Sequence, residues 1–260
     1  MRRLLYVYAT CVKMAVAQAA AYRFDYVSSL LITFAGGLGF PFVALLIYGA
    51  GAAFPGWSFY EVLLIQSLFT MSQALVRCLM GNLLWETMDH VRAGSFETVL
   101  LKPMDPLVYM MSTTFSPNSF GNFLCGAVLF VYAMDYVSFG PAGAVLTALI
   151  LFIAGVAVVA GIQLIMAAVS FKWVGNSRLH EIFSSVEAFG QYPMGIFPSS
   201  VRAFATFIVP VGLVGFFPAA ALLGKNAAES YASALYALIF LAFGIWIYKR
   251  MIKSYQGAGG

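Results

Sequence analysis

An all-α polytopic membrane protein is the fold class that the sequence predicts, and three observations carry the prediction. Only 9% of the 260 residues are charged and 62% are hydrophobic, whereas a water-soluble chain carries roughly 25% charged residues to solvate its surface. The charges are also bunched: none falls between Asp25 and Glu61, between Asp135 and Lys172, or between Glu229 and Lys249. Uncharged stretches of about 18 residues or more read as membrane spans. Third, the 14 Lys and Arg are distributed unevenly enough to assign sides. At about 40 residues per span and connection, the length holds six spans and leaves no room for a soluble enzymatic domain. An energy source would have to come from another chain.

The elements follow in order. Residues 1–24 mix Arg2, Arg3, Lys13 and Arg23 with Leu4, Leu5, Tyr8 and Val12, the pattern of an amphipathic helix lying in the membrane interface. Lys13 interrupts the apolar run, leaving too short a core for a signal peptide, so the segment is expected to stay uncleaved. The six-span transmembrane unit then occupies residues 25–260. Span one runs from about Tyr26 to Gly49, with a kink expected at Pro41, which removes one backbone hydrogen bond. Span two runs from Trp57 to about Leu79, and a polar segment, 86–106, follows. Span three covers Ser119 to Tyr136, and span four Ala144 to Phe171. After a polar link, Lys172 to Arg178, a fifth helix begins near Glu181. Pro193, Pro198, Pro210 and Pro218 break the next stretch, 193–224, which reads as a re-entrant segment. Irregular backbone at that depth needs protein or a wet cavity to satisfy it. Span six runs from Tyr231 to Tyr248 and ends in Lys249, Arg250 and Lys253.

With both termini in the cytoplasm, eleven of the basic residues fall inside, Arg202 and Lys225 fall outside, and Arg77 lies within span two. That asymmetry sets the orientation and supports an even number of full spans. The net charge of +4 would point to nucleic acid in a soluble protein; here the membrane accounts for it, and no nucleic-acid partner is expected. Cys11, Cys78 and Cys125 sit in or beside apolar helices and read as packing residues. His90 and His180 have no metal-ligand spacing, so no metal site is expected.

Two features could carry function. In the segment between spans two and three, Ser95 can cap a short helix through Leu101. Glu97 lies in its first turn, Pro103 stops it, and Phe96, Val99 and Leu100 are available for a soluble partner. A hairpin resting on the headgroups is the plainer alternative. The second feature is a polar seam. Gln66, Thr70, Gln73 and Arg77 share one face of span two, and His180, Ser184, Glu187 and Gln191 have the same spacing in span five. Polar groups in a span usually face the bundle interior or a wet cavity. Arg77 and Glu187 lie at similar depth, so an ion pair between them is possible, and it is expected to form when the cavity is closed. These seams are expected to line a translocation route or a dimer interface; purely structural interhelical bonds are the alternative. Phe189, Phe197, Phe216 and Phe217 around the broken segment could stack on an aromatic or cationic substrate.

The run Arg92-x-Gly94 with Phe96-Glu97, Leu100-Leu101, Pro103 and Asp105-Pro106 resembles the cytoplasmic loop of the ABC-2 type permease family, the membrane subunits of ATP-binding-cassette exporters. The likeness extends over nearly the whole chain. It takes in Gly56-Trp57-Ser58 with Glu61, Tyr192-Pro193 with Ile196-Phe197-Pro198, Val209-Pro210, Pro218-Ala219-Ala220 with Leu223-Gly224, and the closing Tyr255-Gln256-Gly257-Ala258-Gly259-Gly260. The resemblance implies one half of a dimeric transmembrane domain, pairing with an identical or homologous permease in a bacterial or archaeal-type inner membrane. It makes the loop after span two, with Arg92, Gly94, Ser95, Phe96, Glu97, Leu100, Leu101 and Pro103, the helix that couples to separate ABC ATPase subunits. ATP and Mg would bind on those subunits. No phosphate-binding loop is expected here: at Gly224-Lys225, Ala219 replaces the first glycine and Asn226 the hydroxyl residue. The implied function is ATP-driven export of an amphiphilic or hydrophobic molecule, such as a drug, lipophilic cation or lipid. An ATP-independent secondary transporter or channel is the competing class; internal repeats would favour it, and none is evident. A membrane scaffold without transport activity is a third.

Overall fold

The computed structural model describes residues 2–173, 177–225 and 228–255, and every regular element among them is helical. The sequence motifs that fall on 174–176, on Asn226 and on 256–260 lie outside the described residues.

Helices α1 (Arg2–Ala21) and α2 (Arg23–Gly37) meet at Tyr22, and α3 spans Gly39–Gly49. The break in span one therefore sits at Leu38, three residues before the kink expected at Pro41. The reason is local: proline withholds an N–H from the carbonyl four residues earlier, that of Gly37, and its ring crowds that carbonyl. Leu38 N–H turns back to the Ala35 carbonyl at 3.1 Å, and the next helix opens with Phe42 N–H donating to Leu38 at 2.9 Å.

Helix α4 (Phe59–Met80) begins two residues later than Trp57. Ser58 and Glu61 form a capping box: Glu61 N–H donates to Ser58 Oγ at 3.3 Å, and Ser58 N–H donates to Glu61 Oε2 at 3.0 Å. These reciprocal bonds satisfy the donors that the first turn leaves free. Next come α5 (Leu83–Arg92), α6 (Glu97–Leu100) and α7 (Pro106–Thr113). Asp105 caps α7 by accepting from Leu107 N–H at 3.0 Å and Val108 N–H at 3.4 Å, with Pro106 at the first helical position. Helix α7 and the 3₁₀ turn Pro117–Ser119 fill a stretch the sequence left unassigned. Helix α8 (Phe120–Met134) lies within the stretch expected as span three, and α9 (Ala142–Ser170) covers the stretch expected as span four but for its last residue.

Helix α10 covers Ser177–Glu187, starting four residues before Glu181 because the polar residues taken for a link are compatible with helix. A 3₁₀ turn, Ala188–Gln191, follows it. The prolines beyond do more than end helices. Pro193 precedes a 3₁₀ turn at Met194–Ile196, Pro198 precedes α11 (Ser199–Ala203), and Pro210 precedes a 3₁₀ turn at Val211–Leu213. Pro218 stands in the first turn of α12 (Phe216–Leu222), where no intrahelical acceptor is lost. Phe204–Ile208 forms a π turn. Carbonyls in this broken stretch are met from neighbouring helices: Ser72 Oγ donates to Val214 at 3.0 Å and Ser233 Oγ to Thr206 at 2.9 Å. Gly155 allows α9 to lie against the Leu213 carbonyl, which any Cβ there would overlap. Helix α13 (Ala228–Ile252) closes the chain.

Packing runs α2 against α8, α8 against α4, α4 against α9, and α9 against α13, with α12 between α4 and α9. Four stretches among the described residues are long and apolar enough to cross a membrane: Arg23–Gly49, Phe59–Met80, Ala142–Ser170 and Ser230–Ile252. The expected count of six is therefore met only in part. With 15 residues, α8 rises about 22 Å, short of the roughly 30 Å hydrocarbon core, and the chain from Ser177 to Leu222 is broken throughout.

Two ion pairs tie opposite ends of the bundle. Lys225 Nζ meets Glu61 at 2.7 Å and lies 4.6 Å from the Trp57 ring centroid, so the Gly224-Lys225 pair serves as a clamp on the start of α4. Lys249 Nζ meets Asp105 Oδ2 at 2.7 Å, holding the C-terminal end of α13 to the cap of α7.

Candidate functional site

The polar seam of α4 is divided by its surroundings. Thr70 spends its hydroxyl on the Gln66 carbonyl, at 2.8 Å, a local bond that helical threonine makes readily. Gln73 instead reaches across to the end of α10, where its Nε2 donates to Glu187 Oε2 at 3.2 Å. Arg77, one turn further, is exposed.

Thr70, Gln73 and Arg77, with Ser184, Glu187 and Gln191, line one cavity of about 280 Å³. Its remaining wall was not legible as a site in the sequence. Gly36, Gly37 and Phe40 come from the α2–α3 junction, Phe69 from α4, Asn122 from α8 and Ala188 from the turn after α10. Gly36 and Gly37 read as kink residues, and Asn122 is a single amide without helical partners to form a stripe. At Gly37 a Cβ would stand 2.9 Å from Cys125 Sγ, so that glycine lets α2 close on α8. Nothing lies within 4 Å of a Cβ at Gly36, where the backbone opens onto the cavity.

Gln66 and His180 do not line it. Gln66 is buried elsewhere on α4, and the His180 ring packs edge-on against Trp85 at 5.4 Å. Arg77 and Glu187, expected to pair when the cavity is closed, are unpaired with each other beside this open cavity. Among the described residues the ion pairs join Arg92 to Asp89, Lys225 to Glu61 and Lys249 to Asp105. Arg77 acts on Glu187 only through its field, while the amide of Gln73 donates to Glu187 Oε2. The aromatic residues of the broken segment are taken up in packing. Phe189 meets Phe197 edge-on at 5.2 Å, and Phe216 meets Phe217 at 5.2 Å and Trp57 at 5.4 Å.

Glu187 is 6% exposed, Gln73 7% and Gln191 1%. Three of their polar atoms, Glu187 Oε1, Gln73 Oε1 and Gln191 Nε2, have no hydrogen-bond partner. Buried polar atoms are nearly always partnered, so this cluster marks a place where the bundle is not internally complete.

The segment after α4 is also sorted by burial. Gly94 takes a left-handed conformation (φ 65°) that turns the chain between α5 and α6. Phe96 is fully buried and Val99 nearly so. The Phe96 ring meets Phe171 at 4.8 Å and Tyr255 at 5.4 Å. The expectation that Phe96 and Val99 face a partner is therefore overturned: they anchor the loop to the ends of α9 and α13. Leu100 and Leu101 are 42% and 84% exposed, and Arg92, Glu97 and Pro103 are exposed beside them. Ser95 does not cap α6 through its side chain. Its Oγ lies 2.9 Å from His90 Nδ1, and its carbonyl accepts from Thr98 N–H at 3.0 Å.

A second recess of about 360 Å³ lies among α1, α2, α5 and residues 113–118, with Asp25 and Glu86 in its wall. Asp25 is exposed and Glu86 only half-buried, so solvent already serves both carboxylates.

A family model described as ABC-2 family transporter protein matches residues 38–259. No curated protein and no solved structure matches the chain.

Proposed function

The chain belongs to the ABC-2 family of transporter proteins, and from that premise we propose that it is the permease subunit of an exporter. It moves an amphiphilic or hydrophobic molecule out across the inner membrane, driven by ATP hydrolysed on a separate nucleotide-binding subunit. The observation that carries this reading is the cavity between α2, α4, α8 and α10, whose wall holds the buried carboxylate of Glu187, the three amides of Gln73, Gln191 and Asn122, and the phenyl groups of Phe40 and Phe69. Sites for amphiphilic ligands are concave and largely apolar, with a few placed polar groups, and polar groups kept within a bundle mark substrate routes.

Coupling to the ATPase rests on Leu100 and Leu101. They are large apolar side chains left exposed on a short loop whose Phe96 and Val99 are buried, and exposed apolar patches mark contacts. Phe96 keeps that loop rigid against α9 and α13, so a push on Leu101 reaches two membrane helices. The working unit pairs this permease with an identical or homologous one. Both termini lie in the cytoplasm, α8 and the region from α10 to α12 complete the six-span layout, and residues 193–224 re-enter from the outside.

The test is co-purification of the tagged chain with an ABC ATPase from its own membranes, followed by ATPase measurement after reconstitution. A co-purifying ATPase whose turnover responds to substrate in the wild type, and no longer in Leu100→Ser/Leu101→Ser, is the expected result. Active transport by the chain with no associated ATPase would establish the ATP-independent class instead.

A further inference from the structure

Unmet hydrogen bonds on three residues of the cavity wall specify an occupant more narrowly than its shape does. Two of the three free atoms, Glu187 Oε1 and Gln73 Oε1, are acceptors, and the third, Gln191 Nε2, is a donor. The two acceptors belong to side chains already joined by the 3.2 Å bond between Gln73 Nε2 and Glu187 Oε2, so they form one acceptor patch rather than two separate ones. Glu187 is the buried carboxylate of this wall. Arg77 lines the same cavity but is exposed and forms no ion pair with it. Phe40 and Phe69 line the same cavity.

We infer that this cavity selects molecules carrying a protonated primary or secondary amine on an apolar or aromatic body, the N–H groups donating to Glu187 Oε1 and Gln73 Oε1 as these two buried side chains turn toward the occupant. The inference rests on reading the cavity as the transport route. An anion is disfavoured by the carboxylate. A quaternary ammonium would satisfy its charge but leave both acceptors unpaired, and a lost hydrogen bond to a charged group lowers affinity about tenfold or more. The rings favour a cation close to an apolar body, since a cation near an aromatic face gains further attraction. Glu187 thereby becomes the specificity-determining residue, with Gln73 positioning it.

The experiment is equilibrium binding to the full-length chain in phosphatidylcholine nanodiscs, whose headgroup offers no N–H donor. The probes are radiolabelled tryptamine, its N,N,N-trimethyl derivative and indole-3-propionate. Tryptamine is expected to bind saturably, the trimethyl compound about tenfold more weakly or worse, and the propionate not at all. Glu187→Gln should cost tryptamine at least about tenfold, whereas Arg202→Gln, at an exposed residue outside the cavity wall, should not. Gly36→Leu should abolish binding by filling the open space over Gly36. Equal binding of all three probes, tighter binding of the trimethyl compound, or tryptamine binding unaffected by both Glu187→Gln and Gly36→Leu would overturn the inference. The probe series on the wild type stands even if a variant fails to fold. A repeat in phosphatidylethanolamine nanodiscs separates the sources of the amine: competition there assigns it to a lipid headgroup, and unchanged tryptamine binding to a free amphiphile. No partner ATPase is needed. Failure here with ATPase co-purification intact removes the amine and leaves the exporter; failure of co-purification removes the exporter, whatever binds.

Discussion

Phe96 and Leu101 lie five positions apart in one loop and have opposite fates. Phe96→Ala is expected to destabilise the chain by about 3–5 kcal/mol, the cost of emptying a fully packed aromatic site. Leu101→Ser should leave stability within about 0.5 kcal/mol, and thermal unfolding in detergent separates the two. Asp105 gives a pH-dependent counterpart. Burial works to raise its pKa, but the hydrogen bond and charge of Lys249, joined by the Val108 and Leu107 N–H groups, outweigh it and hold the carboxyl below its ordinary 3.8. A carboxylate depressed in the folded state stabilises at pH above its unfolded value, and that contribution is lost as pH falls through the folded one. The stability difference between wild type and Asp105→Asn should therefore be constant from about pH 7 to 5 and shrink below about pH 4. A difference that instead grows on acidification would refute the tether. The pairing itself could not be read from the sequence, because Asp105 and Lys249 are 144 positions apart.

Among the elements, α4 and α9 form the spine, and small residues decide how closely their neighbours approach. Gly155→Val is expected to destabilise by roughly 1–3 kcal/mol through overpacking, since its side chain would meet the Leu213 carbonyl in the broken segment. Gly36→Ala, facing open space, should be neutral or slightly stabilising, because alanine suits a helix better by roughly 0.5–1 kcal/mol. Equal losses at both positions would mean that close approach of α9 to Leu213 is not what Gly155 provides. Helix periodicity and proline placement made most of these elements legible: α9, α13 and the breaks after α10 lie near where hydropathy and proline put them. The capping box at Ser58 and the crowding of the Gly37 carbonyl by Pro41 moved boundaries by two or three residues. Cap and kink geometry depend on single backbone bonds, which a hydropathy window averages away.

For the whole molecule, the two end clamps, Glu61 with Lys225 and Asp105 with Lys249, mark opposite faces of the bundle. The proposed orientation places the first outside and the second inside. In a variant with Cys11, Cys78 and Cys125 replaced by Ala, a single cysteine at Arg202 should react in intact cells with a membrane-impermeant maleimide, whereas one at Lys253 should react only after permeabilisation. The reverse pattern would invert the topology. The sequence by itself determined that the chain is an all-α membrane protein of the ABC-2 type, because scarce and bunched charge and ordered short motifs are properties of the linear chain. It also singled out the polar residues of α4 and α10, since the cost of polar groups in a span makes them conspicuous wherever they pack. Only the tertiary structure decided which of them meet. It left Gln66 and His180 out of the cavity, paired Glu187 with Gln73 instead of Arg77, and turned Phe96 inward while leaving Leu101 exposed. Those outcomes depend on the approach of helices distant in sequence, at glycines and breaks whose consequences appear only when the opposing surface is in place.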